Sequence, residues 1–218
     1  MTERICIYRG DKIRPEFTSE VDLWGGTYDL LTKIRNPSDA EKKALEKRIE
    51  GIVFLPLASK TLPQAIEEDR AYFWTGNLNY SKSRQESIQY VLPEIEVALN
   101  PTQLALLNSF YKSRSVQLEM INRYSKEQIE KDLPDAKAIM LPAVGYAQAD
   151  KVYRNRTDEV LFRDLFARAL DNTSAVRAAF VGRYRPENRL SVRGWVADRG
   201  GRRVVAVPAI VFIKGTVH

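Results

Sequence analysis

The chain has 218 residues, 44% apolar and 28% charged, which is enough to bury a core without staples and excludes a disordered or fibrous protein. Cys6 is the only cysteine and His218 the only histidine, which excludes an internal disulfide, thiolate or imidazole metal sites, and Ser-His or Cys-His nucleophile pairs. The formal net charge is +6, and no apolar run approaches the roughly 18 residues that span a bilayer, so a soluble, basic chain with no metal or cofactor is expected.

Met1 to Gly10 alternates as a strand, with Ile5 and Ile7 on one face and Arg4, Cys6 and Tyr8 on the other, so Cys6 reads as a small buried hydrophobe. The same stretch has no apolar signal core and no cleavage site, and a cytoplasmic location is expected. Trp24-Gly25-Gly26-Thr27 is turn chemistry, lacking the Lys-Ser/Thr of a phosphate-binding loop. Ser38 with Glu41 forms a capping box that opens a helix to Glu50, with Gly51 as its stop. Ile52 to Ala58 reads as a strand that Pro56 confines to an edge, a bulge or a strand end. Apolar runs interrupted by Pro recur at residues 138–144 and at Val204 to Ile210, as if three neighbouring strands carried aligned bulges.

Thr61 caps a helix expected to run to Trp74. After it comes a mixture of aromatics, amides and cations, Trp74, Asn77, Asn79, Tyr80, Lys82 and Arg84, of the kind that can stack a ring and hydrogen-bond its edges. Ser87 to Leu99 reads as a strand on which Glu94 and Glu96 share a solvated face without the third acid that a metal site needs. Asn100 and Pro101 open the longest helical reading, carrying Leu104, Leu107, Tyr111, Leu118 and Ile121 and ending before Pro134, with a weak stretch near Ser113 and Ser115. Ala138 to Val144 is a strand, Gly145 to Thr157 a polar connection, and Asp158 to Leu170 a last helix with a broad apolar stripe.

Ser174 to Lys214 alternates with a strand period broken at Arg185-Pro186-Glu187-Asn188 and at Asp198-Arg199-Gly200-Gly201. The expected fold is therefore a single α+β domain over 1–218, with a mixed or antiparallel sheet, several packing helices and a three-stranded antiparallel meander at 174–214. From Asp171 onward there are nine Lys or Arg against three acids, while the rest of the chain balances, so the net charge sits in that meander. Eight of the nine are Arg, whose planar fork suits phosphate and carboxylate and stacks on flat rings. Alternation sets Arg177, Arg183, Arg185, Arg189, Arg193, Trp195, Arg202 and Arg203 as the candidate face for nucleic acid, RNA or single-stranded DNA. The other class is an assembly or scaffold subunit, of a multiprotein complex or phage-like particle, whose basic face docks an acidic protein surface.

Ile7-Tyr8-Arg9-Gly10 resembles the strand-end YRG with which arginine-serine-glutamate ADP-ribosyltransferases begin, whose Arg holds the nicotinamide dinucleotide. The resemblance covers four residues and implies a Ser-Thr-Ser-like strand and a catalytic Glu. Ser59-Lys60-Thr61, which departs from that motif, and Glu159, which reads as helical, are the positions it would use.

Overall fold

The computed structural model of the chain describes residues 30–74, 91–174, 177–185 and 188–214. In order they form β1 (Ile34–Arg35), α1 (Asp39–Arg48), β2 (Val53–Leu57), α2 (Leu62–Glu68), β3 (Ile95–Leu99), α3 (Arg114–Tyr124), β4 (Ala136–Ile139), α4 (Ala143–Thr157), β5 (Phe166–Ser174), β6 (Arg177–Gly182), β7 (Ser191–Val196), β8 (Val204–Val205) and β9 (Ala209–Ile213). The fold is α+β, with two sheets of largely antiparallel strands.

The first sheet is organised around β9, which pairs antiparallel with β1, β3 and β4. Ile210 stands opposite Ala98 of β3 on one side and Ala138 of β4 on the other, and its neighbours Val211 and Phe212 are buried. β2 closes the sheet beside β3, and Pro56 sits opposite Glu96 on that outer strand, where its missing N–H breaks no inner ladder. The second sheet has the order β7-β6-β5-β8, antiparallel except for the parallel β5–β8 pair.

Local chemistry sets several boundaries as expected. Ser38 and Glu41 make the capping box of α1, and Gly51, at φ +76°, takes a backbone conformation that L side chains rarely adopt. Thr61 and Gln64 form a second capping box at α2. That helix ends at Glu68 rather than Trp74; a turn follows it through Tyr72, and Phe73 forms a bridge to Leu190.

Four further expectations are corrected. The long helix from Asn100 begins only at Arg114: its weak stretch is its true start, where the Ser113 hydroxyl accepts from the Val116 N–H. Asn108 and Tyr111 upstream adopt positive φ, incompatible with a continuous helix. The polar connection from Gly145 is the body of α4, and the expected helix from Asp158 is a loop followed by β5. The first eight residues of α4 are all buried, so no apolar stripe distinguishes it from a loop, and β5 is buried over Phe166–Asn172, so an apolar pattern there fits helix or strand equally.

The three-stranded meander is the fourth. β6 and β7 do pair, Ala179 opposite Gly194 and Val181 opposite Val192, but the third stretch leaves them. Val204–Val205 joins the far side of β5, and after Pro208 the chain crosses into the first sheet as its centre. The three Pro-marked runs are consequently unlike one another, since Pro56 lies in an outer strand, Pro142 precedes α4 and Pro208 stands at this crossing. Helix α4 packs against β2, β5 and β6, and its Tyr146 hydroxyl donates to the Val207 carbonyl at 2.5 Å beside the crossing. Gly182 permits the close approach of β5 to β6, for a Cβ there would lie 2.1 Å from the Leu165 carbonyl oxygen.

Candidate functional site

The site is assembled from inside outward, beginning with a fully buried ion pair. Arg183, just past β6, donates to Asp150 on α4, and both side chains are sealed from solvent. The same carboxylate oxygen accepts the Tyr72 hydroxyl at 2.5 Å, and its other oxygen accepts the Leu161 and Phe162 N–H groups at 2.8 and 3.2 Å. Burial pushes the Asp150 carboxyl upward, opposed by Arg183 and those donors. Four donors on two oxygens leave no position for a proton, so the group serves as a carboxylate. The Tyr72 ring lies 5.5 Å from the Arg183 guanidinium and 5.6 Å from that of Arg154. Burial, with Asp150 adjacent, drives the Tyr72 hydroxyl well above the usual phenol range, so it stays a donor.

This knot delivers the next residues to the sheet. The Leu190 N–H donates to the Tyr72 carbonyl at 3.0 Å and the Trp74 N–H to the Leu190 carbonyl at 2.9 Å, a short parallel bridge at the start of β7. Trp74 is thereby fixed beside Arg193, whose guanidinium lies 4.5 Å from its ring centroid. Arg193 also lies 5.2 Å from the Tyr184 ring, and Arg203 lies 5.5 Å from that ring. The order Trp74, Arg193, Tyr184, Arg203 is an alternating ladder of rings and guanidinium groups. Trp74 is 39% exposed and Tyr184 44% exposed, so the ladder faces solvent.

The ladder has a firm base. Phe180 of β6 stands opposite Arg193, and Phe166 packs edge-on against Phe180 at 4.9 Å and against Tyr184 at 5.0 Å. Phe166, Phe180 and Val204 form a small buried cluster on this face, separate from the main core. Arg203 donates to the Tyr184 carbonyl at 3.2 Å and stands 3.7 Å from Asp164. Arg193 has no hydrogen-bond or ion-pair partner among the described residues, and its Nε is shut away from solvent. Exposed ring faces beside guanidinium forks can stack a planar group and bind anionic or carbonyl-type acceptors.

Of the sequence-predicted residues, Arg193 and Arg203 join the ladder, together with Trp74 from the earlier aromatic stretch. Arg185, Arg189 and Arg202 are exposed along the same chain segments. Arg183 is not a surface residue: its position in the alternation points it into the core, where Asp150 neutralises it. Arg177 is exposed but opposite Val196, so it shares the sheet face of Ala179 and Val181, not that of Phe180 and Arg193. The single basic face is therefore corrected, because β6 is an inner strand covered on both sides. Trp195 is paired with Ala178 in the backbone and its side chain lies outside the described structure, as do Asn77, Asn79, Tyr80, Lys82 and Arg84. Tyr184 is visible in the sequence as a ring among arginines, but alternation alone sets it on the core face.

Other candidates resolve into structural roles. Ile7-Tyr8-Arg9-Gly10 lies outside the described residues, the Thr61 hydroxyl caps α2, and Glu159 is on the surface, paired with Arg163 at 3.0 Å. Glu96 pairs with Lys42 at 2.5 Å and Glu94 is exposed. The buried Arg114 donates to the Leu170 carbonyl and to Asn172, while Asp171 accepts the Ala143 N–H at the start of α4. A cleft of about 170 Å³ between β2, α2 and α4 is bordered by Lys60 and Lys151, each already paired, with Glu68 and Asp69. No cluster of metal-ligating side chains occurs among the described residues, and no helix there is long and apolar enough to cross a membrane.

The fold and the ladder define an α+β protein with an arginine-aromatic surface. Comparison with protein-family models, curated proteins and solved structures gives no match to this chain.

Proposed function

We propose that the protein binds single-stranded nucleic acid, without catalysis, through the Trp74, Arg193, Tyr184 and Arg203 ladder. The observation that carries the reading is the Arg193 guanidinium, with no ion-pair partner among the described residues, lying over two exposed rings. Bases stack on exposed aromatic rings whatever their sequence, and the neighbouring Arg185, Arg189 and Arg202 supply positive charge for the phosphates. A single strand suits the surface better than a duplex, whose bases are already stacked and whose grooves call for a protruding helix or ribbon.

The direct test is anisotropy titration of a labelled single-stranded RNA at low salt. Trp74→Ala is expected to weaken binding by about 1–3 kcal/mol with little change in salt dependence, as loss of a stacking partner requires. Equal affinity of wild type and variant would remove the stacking role.

A second reading, an assembly subunit, is favoured by a different observation. Leu107, Phe110, Tyr111 and Val116 are exposed at 84%, 42%, 66% and 39% on a segment tied down by the buried Ser109 and by hydrogen bonds to Ala197, Gly201 and Ala206. Concentration-dependent self-association in sedimentation, abolished in Leu107→Lys, together with no binding to single strands, would favour it.

A further inference from the structure

We infer that Arg193 is a base-reading residue that selects guanine in a single strand, an inference that rests on the binding function proposed above. A guanidinium offers two faces and an edge of N–H donors, and the Arg193 guanidinium carbon lies over two rings, 4.5 Å from the Trp74 centroid and 5.2 Å from the Tyr184 centroid. Nε is buried, so the outer edge carrying Nη1 and Nη2 is what remains for a ligand. That edge donates two parallel hydrogen bonds in the guanidinium plane and accepts none.

A ligand held by that edge lies beside the same two rings, both of which are exposed. One that uses both the edge and the rings is flat and carries two acceptors side by side. Guanine meets both conditions, through its ring system and through O6 and N7. Adenine sets a donor next to N7 and so meets the fork with a donor facing a donor; cytosine offers N3 and O2 side by side, but its single ring covers less of the two aromatic side chains than a purine does. A phosphate supplies the acceptors but not the flat faces. Lysine in place of Arg193 would keep the charge and lose both the plane and the fork.

The rigidity of the layer supports recognition over simple charge attraction. Phe180 backs Arg193 across the β6–β7 pair, Phe166 braces Tyr184 at 5.0 Å, and the backbone bridge to Leu190 holds Trp74. Arg203, by contrast, donates to the Tyr184 carbonyl and stands near Asp164, which leaves it a positioning and charge role.

The test uses the full chain and labelled oligouridine RNAs carrying one central guanosine, inosine, 7-deazaguanosine, adenosine or cytidine. Guanosine and inosine, which keep O6 and N7, should bind about 5- to 150-fold more tightly than adenosine, as one bidentate pair confers, and more tightly than cytidine by the difference in stacking area. 7-Deazaguanosine should lose most of that preference. Arg193→Lys, verified as folded by circular dichroism, should abolish the guanosine preference, so that the guanosine and adenosine RNAs bind it equally whatever their common affinity. Binding with no base preference, or a preference that survives Arg193→Lys, overturns the guanine assignment and leaves the binding function standing. A 5′-phosphate preference that disappears in Arg193→Lys would also overturn it, by giving the fork to phosphate. No binding to any of the RNAs overturns the binding function itself, and this inference with it.

Discussion

Replacing Arg183 by Met tests the buried knot that sets the site's geometry. The substitution keeps most of the apolar stem and removes the cation hydrogen-bonded to Asp150. Asp150 then keeps the Tyr72 hydroxyl and two backbone donors but is a sealed carboxylate without that countercharge. Breaking such a pair from one side costs about 3–5 kcal/mol, a large part of the roughly 5–15 kcal/mol by which domains are stable. At about 2–4 °C per kcal/mol for a chain of this size, the midpoint should fall by roughly 6–20 °C. Urea and thermal unfolding followed by circular dichroism measure this. The double variant Asp150→Leu/Arg183→Met removes both charges and should recover a substantial part of the loss. A single variant costing under about 1 kcal/mol, or a double variant worse than either single, would refute the reasoning.

Burial holds the Asp171 carboxyl up at about 6, so between the unfolded value of about 3.9 and that pH the folded chain keeps a proton that the unfolded chain has lost. Its contribution to stability is fully present below about pH 4 and is lost as pH rises through about 6; Asp171→Asn should flatten that part of the pH profile of urea stability, and an unchanged profile would contradict it. Gly182→Ala should destabilise by about 1–3 kcal/mol because its Cβ meets backbone rather than a movable side chain, measured by the shift in urea midpoint. Ser113→Ala should remove the cap of α3 and lower stability by about 0.5–2 kcal/mol, whereas Ser115→Ala, inside the helix, should cost less.

The parts of the fold legible in the sequence are those fixed by local chemistry. Ser38 with Glu41, Thr61, Gly51 and Pro56 act through their immediate neighbours, and each does in the structure what its residue type dictates. The parts that are not legible are those where tertiary burial surrounds an element. Helix α4 carries Gln148 and Asp150 inward because the Ala58 backbone, Arg183 and Tyr72 satisfy them, so its polar residues mimic a loop. Strand β5 reads as a helical stripe because Phe166, Ala167, Ala169 and Leu170 are all buried. The same cause misplaces Arg183: alternation separates two faces but cannot say that both are covered. Both halves of the ladder stand out in the sequence, as an aromatic stretch at Trp74 and an arginine-rich end. Their meeting depends on the Phe73–Leu190 bridge, a long-range pairing with no local signature.

The most direct measurement is the salt dependence of binding to a labelled oligouridine RNA, for wild type and for Arg189→Ala/Arg202→Ala. Log affinity should fall linearly with log salt concentration, and the double variant should bind more weakly, with a slope reduced by about 0.7 for each phosphate it no longer neutralises. No binding at low salt, or the same affinity and slope in both proteins, would contradict it.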